Sequence, residues 1–188
     1  MVTRNTSTYV NLLATALLLA GCGALPGTPQ EALNRLPDYV PTPEGYRAET
    51  ATIAATVDAA GGKVIVYRWQ SSDAAQGPCR LAAAFVTPDG LGWRPQSTLS
   101  LVEPLDGDCQ TQALIAGTLS GSEASALTAV FGASDHGVAV RLRWPDGQVQ
   151  VVALSNGIFV QARPEVFAAC DLELLDEFGN VIETESLT

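Results

Sequence analysis

The amino-acid sequence predicts an all-β protein, an antiparallel β-sandwich that follows a signal peptide and a proline-rich tether. From residue 46 onward, short β-branched and aromatic runs alternate with clusters of Gly, Pro, Asn and Asp, which is typical of antiparallel strands joined by turns. No long amphipathic helix pattern follows residue 44. Hydrophobic residues make up 47% of the chain and charged residues 16%, which fits a folded domain with a core.

The individual strands are predicted from alternation and from the turns between them. Residues 63–70 are apolar on both faces, with Val64 and Val66 on one face and Tyr67 on the other, which indicates a central strand. The Pro-Asp-Gly sequences at 88–90 and 145–147 predict hairpin turns. The predicted strands cover residues 47–57, 63–70, 80–86, 91–101, 112–119, 127–131, 138–144, 149–153, 158–162, 168–175 and 180–183.

The chain is predicted to have three parts: a signal peptide at 1–21, a tether at 22–44 and a β-domain at 45–188. The tether holds five prolines, and a flexible coil of its length would reach about 26 Å and keep the domain off the bilayer. Residues 30–36 have room for one or two helical turns. The best internal seam is at 120–123, so one sandwich and two small β-units both remain open.

The leader carries the most specific motif of the chain. An apolar run at 9–20 follows Arg4 and leads into Leu19-Ala20-Gly21-Cys22. The run is shorter than the roughly 20 residues of a transmembrane helix and has the proportions of a signal peptide. These four residues resemble the lipobox of bacterial lipoproteins. The resemblance implies cleavage before Cys22, a lipid on its sulfur, and anchoring to a membrane of the cell envelope, with inner and outer membrane left open. The alternative is a chance cysteine after an ordinary secretory signal.

Charge narrows the range of partners. The net charge is −10, with 10 Lys and Arg against 20 Asp and Glu, and Lys63 is the only lysine. This balance argues against nucleic-acid binding, which needs clustered cations, and against electrostatic docking on anionic lipid. We expect no cofactor, and as partners the membrane through Cys22 and an unidentified envelope protein or glycan.

The cysteines fit an exported protein. With Cys22 lipidated, three cysteines remain, and export permits disulfides. Cys79 and Cys109 each lie beside turn-forming residues, so we predict that they form a disulfide. Cys170 alternates with Leu172 in a predicted strand, which indicates a buried core thiol.

No catalytic constellation can be assembled from the sequence. His136, the only histidine, follows Asp135 in a predicted surface turn, and this adjacency does not give triad geometry. The acidic loop of Glu103, Asp106 and Asp108 is a candidate for calcium but lacks the spacing of a known calcium loop. We interpret the carboxylates of Glu173, Asp176 and Glu177 as part of a solvent-exposed face rather than as the catalytic pair of a glycosidase.

Tryptophans are the remaining candidates for binding. Trp69 and Trp144 are predicted to lie in the core. Trp93 follows Gly92 in a turn region and is the most exposed of the three by this interpretation. We therefore predict a binding surface at Trp93 and Arg94, with Arg68 as a neighbour.

The C-terminal part, with its Asp-Gly turn and its Asn-Gly turn at 156–157, resembles the small Ig-like β-sandwich units of exported bacterial proteins. This resemblance covers about 60 residues, implies a fold and carries no active site. The sequence thus favours a membrane-anchored envelope lipoprotein with a non-catalytic interaction module. The alternatives are an envelope hydrolase, or an accessory to one, with an unrecognised site, and a structural spacer.

Overall fold

The computed structural model describes residues 27–43, 45–71, 79–101, 105, 109–121, 126–168 and 170–187. These residues contain two short α-helices, α1 (Pro29–Asn34) and α2 (Leu36–Tyr39), and a 3₁₀ turn at Ala48–Thr50. The strands are β1 (Thr52–Ala59), β2 (Gly62–Gln70), β3 (Cys79–Asp89), β4 (Gly92–Ser100), β5 (Ile115–Ser120), β6 (Thr128–Ala133), β7 (Ala139–Arg143), β8 (Val149–Ala153), β9 (Ile158–Arg163), β10 (Cys170–Leu175) and β11 (Val181–Leu187).

The strands form three antiparallel sheets. Sheet A has the order β1-β2-β3-β4, sheet B has the order β5-β6-β9, and sheet C has the order β11-β10-β7-β8. The prediction of an all-β, antiparallel sandwich fold is confirmed.

Sheet A is built around a strand that is buried on both faces. Val64 and Val66 of β2 point into the core shared with sheet B, whereas Ile65 and Tyr67 point to the other side. Neighbouring strands β1 and β3 pair with β2 on either side. The prediction that 63–70 is a central strand is therefore confirmed, because a strand covered on both faces has no polar side to show.

Sheet B lies between the other two sheets. Phe131 of β6 lies in one apolar cluster with Val66 and Phe85 of sheet A, whereas its neighbour Val130 lies in the cluster with Leu142 and Leu172 of sheet C. Every residue of β6 is buried. Burying both faces of one short strand joins the three sheets through a single central layer.

The seam predicted near 120–123 does not separate two sheets. Ser120 of β5 pairs with Thr128 of β6, and the N–H of Gly121 donates to the carbonyl of Leu127 at 3.0 Å. The two strands on either side of the seam therefore form one hairpin, although residues 122–125 lie outside the described part of the chain.

Within the predicted tether, the helical turns expected at 30–36 are present, but residues 29–39 pack on the domain rather than extending away from it. Thr28 and Glu31 form a capping box at the start of α1, and Pro29 occupies the first turn, where a missing N–H is no loss. Ala32, Leu33 and Leu36 are buried against the outer face of sheet A. Apolar burial thus converts a segment that composition suggested was a spacer into a layer of the domain.

The hairpin turns follow the backbone conformations that their sequences permit. Ala60 and Gly61, and likewise Asn156 and Gly157, all have positive φ, as a two-residue turn with both central residues left-handed requires. In the β3–β4 hairpin Asp89 pairs with Gly92, so the turn lies one residue later than the Pro-Asp-Gly pattern suggested.

Strands β5 to β11 form a two-sheet sandwich of their own, sheet B against sheet C. The first, second and fifth of these strands lie in one sheet, and the other four lie in the second. The Ig-like family resemblance of this stretch stays a prediction.

Candidate functional site

The predicted disulfide is present at one end of sheet A. Cys79, the first residue of β3, is bonded to Cys109, with 5.2 Å between their α-carbons. The N–H of Leu105 donates to the carbonyl of Cys79 at 3.0 Å. The disulfide and this hydrogen bond hold the connection between sheets A and B onto β3. The predicted calcium loop around Glu103, Asp106 and Asp108 lies outside the described residues.

The predicted surface at Trp93 and Arg94 lies where α2 meets β4. Arg94 is exposed, and its guanidinium carbon lies 5.2 Å from the ring centroid of Tyr39. The guanidinium carbon of Arg35 lies 4.9 Å from the same ring, and Arg35 also hydrogen-bonds to the Tyr39 hydroxyl. Two guanidinium groups therefore share one tyrosine ring at this surface.

Trp93 itself is half-buried rather than fully exposed. It packs against the apolar cluster beneath the helices, and Lys63 Nζ lies 5.8 Å from its ring centroid. The prediction that Arg68 neighbours Trp93 is wrong. Trp93 is paired with Pro88 and Arg68 with Leu81, so about 23 Å of β3 separates them.

His136 and Asp135 lie in the turn between β6 and β7. His136 is exposed, and its backbone N–H donates to Ser134 Oγ at 3.3 Å. The Asp135 carboxylate accepts a hydrogen bond from the N–H of Thr111 at 2.7 Å, and Asp135 N–H donates to the Thr111 carbonyl. This carboxylate therefore fastens the turn to the segment that leads into β5.

Glu173 is held between two arginines on the outer face of sheet C. One of its oxygens lies 2.5 Å from Arg141 Nη1, and the other lies 2.9 Å from Arg143 Nε. The hydrogen bonds from Arg143 and then Arg141 hold the pKa of Glu173 below its usual range. A carboxylate kept ionised in this way is suited to cross-strand pairing rather than to general-acid chemistry.

Asp176 closes the β10–β11 hairpin. Its carboxylate accepts hydrogen bonds from the side-chain amide and the backbone N–H of Asn180, and from the N–H of Phe178, at 2.8 to 2.9 Å. These bonds, the one from the Asn180 side chain first, lower the pKa of Asp176. Glu177 follows it in the same turn. Asp176 thus serves the turn geometry.

The predictions for the core residues are confirmed. Trp69 and Trp144 are almost completely buried, and Trp144 Nε1 donates to Gln150 Oε1 at 2.9 Å. Cys170 is a free, buried thiol that packs with Leu172 and its neighbours. Burial, and after it the Asp171 carboxylate, raises the pKa of the Cys170 thiol to about 11.

A cavity of about 270 Å³ lies at the disulfide end of sheet A. It is formed where the 3₁₀ turn, the start of β1 and the end of β2 meet the disulfide. Thr50 Oγ1 bridges these elements, because it donates to the carbonyl of Arg47 at 2.8 Å and accepts from the N–H of Gln70 at 3.1 Å. The residues that line the cavity are Thr50, Thr52, Arg68, Trp69, Gln70 and Cys109.

Two N–H donors of the cavity-lining residues lack a partner among the described residues. These are Arg68 Nε and Trp69 Nε1, both fully buried atoms. The Trp69 side chain, only 1% exposed, packs in the cluster beneath the helices, on the opposite face of β2 from Arg68, so the donor available to the cavity is Arg68 Nε. Arg68 donates elsewhere, from Nη2 to the carbonyl of Asn156 at 3.3 Å. Burial lowers the pKa of Arg68, and the Asp135 carboxylate partly offsets this effect. An arginine still keeps its charge at neutral pH, so the cavity wall carries a positive charge with a free N–H donor.

Sequence reasoning missed most of this cavity. Arg68 was considered only as a neighbour of Trp93, and Thr50 and Gln70 carried no motif. Their proximity depends on the pairing of β1 with β2 and on the position of the disulfide, which join residues distant in sequence. A useful signal was available in the sequence, however: Arg68 is a charged residue within a strand predicted to be buried on both faces.

Among the described residues, no group of three or more His, Cys, Asp or Glu side chains is placed to hold a metal ion. Over the same part of the chain, no helix is long and apolar enough to cross a membrane. Cys22 and the predicted signal peptide lie outside the described residues. No family model, curated protein or solved structure matches the chain.

Proposed function

We propose that the protein is an envelope lipoprotein, anchored through a lipid on Cys22, whose β-domain is a non-catalytic binding module. The observation that carries the binding role is the cavity beside the disulfide, with its unpartnered Arg68 Nε donor. The anchor rests on the lipobox residues Leu19-Ala20-Gly21-Cys22.

The chemistry of the cavity favours an acceptor-rich ligand. A buried N–H without an acceptor costs on the order of 1–3 kcal/mol, and a ligand oxygen that accepts from it recovers that cost. Arg68 supplies a positive charge as well as the free Nε donor, so a carboxylate is the group that this arginine favours most. The volume of about 270 Å³ suits a group the size of an amino acid or a monosaccharide rather than a large cofactor.

The other side chains that were considered as catalytic candidates are engaged in structural contacts. Glu173 pairs with Arg141 and Arg143, and Asp135 fastens a turn. These contacts use the groups that a hydrolytic site would need free, which supports binding over hydrolysis.

The test is calorimetric titration of the purified protein with a panel of N-acetyl amino acids, short peptides and simple sugars. We expect at least one carboxylate-bearing member to bind and Arg68→Gln to weaken its binding about tenfold or more, because the charge-assisted hydrogen bond is lost. Arg94→Gln, an arginine at the other end of sheet A, is the matched control and should leave binding unchanged. No binding by any member, or equal binding by Arg68→Gln, contradicts the proposal.

A further inference from the structure

The chain enters the domain at a defined end of sheet A. The turns at Ala60-Gly61 and at Gly90-Leu91 lie at this end, and the N–H of Gly27 hydrogen-bonds to the carbonyl of Leu91. We call it the proximal end. The opposite, distal end carries Gln70, the disulfide and the cavity.

The distance from the lipid anchor to the proximal end is short. Once cleavage has occurred, residues 22–26 link the anchor to Gly27. Residues 29–39 add no reach, because they are packed on the sheet. A chain spans at most about 3.6 Å per residue, so Gly27 stays within about 18 Å of Cys22. Strand β3, which runs from one end to the other, spans about 33 Å from Cys79 to Asp89. The proximal end can therefore reach the bilayer, while the cavity is held away from it.

The proximal end presents the side chains that favour a membrane–water interface. Leu91 is 63% exposed at the tip of its hairpin, and Trp93 is half-buried beside it. Tyr39 lies close to the guanidinium groups of Arg35 and Arg94. Tryptophan and tyrosine prefer the headgroup region, and arginine can keep its charge among phosphates while its stem lies on apolar surface.

Net charge does not drive this contact. Lys63 is paired with Asp58, Asp89 lies at the β3–β4 turn, and Glu31 lies beside Gly27. The cations Arg35, Lys63 and Arg94 are thus balanced by acids. Attachment would depend on apolar and aromatic insertion, so it should differ little between zwitterionic and anionic lipid.

We infer that the proximal end of sheet A, through Leu91, Trp93 and the Tyr39–Arg94 pair, docks onto the lipid headgroups of the bilayer that holds the anchor. This inference rests on the proposed lipid anchor at Cys22. A weak surface affinity is sufficient, because the tether makes docking an intramolecular step with a high effective concentration. The domain then stands upright, with its cavity facing away from the membrane.

The first test is tryptophan fluorescence of the lipidated full chain in phosphatidylcholine vesicles. Lipids brominated near the headgroup end of the acyl chains quench nearby indoles. Trp69 and Trp144 are buried, so we expect quenching to arise from Trp93 and to be lost in Trp93→Phe. Unchanged fluorescence of the wild-type protein in brominated vesicles contradicts the docking.

The second test uses Lys63, the only lysine, as a reporter. Binding to vesicles should slow the labelling of Lys63 by a membrane-impermeant amine reagent several-fold relative to the vesicle-free protein, but leave unchanged the labelling of a distal reporter introduced by Arg47→Lys, both read by peptide mass mapping of one molecule. Leu91→Glu should restore Lys63 labelling, because a buried charge at the tip opposes insertion. Val166→Glu is the matched control, because Val166 is 66% exposed and lies outside the proximal end; this variant should leave the protection of Lys63 intact.

The two proposals fail in different ways. Absence of the wild-type protein from floated vesicles, together with an unacylated N-terminus, contradicts the anchor and the docking that rests on it. A protein that floats with the vesicles but shows neither quenching nor protection of Lys63 retains its anchor and contradicts the docking alone.

Discussion

Replacing Leu33 by alanine tests whether the N-terminal segment belongs to the folded domain. Leu33 in α1 is completely buried and lies in one apolar cluster with Leu36, Tyr67 and Trp69. A free tether would give this leucine no packing partners. Alanine is the best helix former, so the substitution leaves helix propensity intact and removes only the packing of the side chain.

The size of the effect follows from the complete burial of Leu33. Truncating a buried leucine to alanine costs about 2–5 kcal/mol, through lost transfer free energy and the cavity left behind. We expect Leu33→Ala to lower the free energy of unfolding by about 3 kcal/mol, since the site lies under a short helix that can partly relax. With a typical denaturant slope, this lowers the urea midpoint by about 1.5 M.

Urea unfolding followed by tryptophan fluorescence provides the assay, because Trp69 lies in the same cluster. Leu91→Ala is the matched control: Leu91 is 63% exposed, so its truncation should change the free energy of unfolding by less than about 0.5 kcal/mol. Equal stabilities of Leu33→Ala and Leu91→Ala would refute the packing of residues 29–39 on sheet A.

Three further predictions concern the disulfide, an ion pair and the free thiol. Replacing Cys79 and Cys109 with serine should lower the free energy of unfolding by about 3–4 kcal/mol in the loop-entropy model; unchanged stability would contradict it. The pKa of Glu173 is lower in the folded state, so its stabilisation exists at neutral pH and disappears as pH falls through that lowered pKa. The deficit of Glu173→Gln should therefore vanish in acid, and a deficit independent of pH would count against the ion pair. Cys170, with a thiol pKa of about 11, should alkylate at pH 8 at least about 100-fold more slowly folded than in urea, whereas equal rates would mean an exposed thiol.

The strands could be predicted from sequence because their signals are local. Alternation, the β-branched runs and the Asn-Gly turn at 156–157 each act within a few residues, and the structure has strands at all eleven predicted places. Double-faced burial of 63–70 also identified a central strand correctly. The boundaries shifted by a few residues, because hydrogen-bond pairing between strands sets the ends.

The arrangement of three sheets could not be predicted in the same way. Val130 and Phe131 are adjacent in β6, yet one packs toward sheet C and the other toward sheet A. Apolar residues at both positions indicate burial on both faces, but they do not identify the sheets that cover those faces. Polar, glycine-rich residues connect paired strands as readily as they connect domains, so the sequence at 120–123 could not show that the strands before and after it pair with each other.

The packing of residues 29–39 on sheet A was not predicted, although the start of the first helix could be recognised in the sequence. Proline content suggested an extended spacer, but Pro29 follows Thr28 and precedes Glu31, the pattern of a helix start with a capping box. The position of the cavity, by contrast, could not be predicted from sequence. Arg68 was recognised as a cation, but its position beside Thr50 and the disulfide arises only from long-range pairing.

The most direct measurement of the central proposal is the mass of the N-terminal peptide of the protein purified from the membrane fraction of a bacterial host. A lipid-anchored protein should yield a peptide that begins at Cys22 and carries the mass of two or three acyl chains, and Cys22→Ala should lose that mass and leave the membrane fraction. An unacylated N-terminus at any position, with the wild-type protein in the soluble fraction, would contradict the anchor.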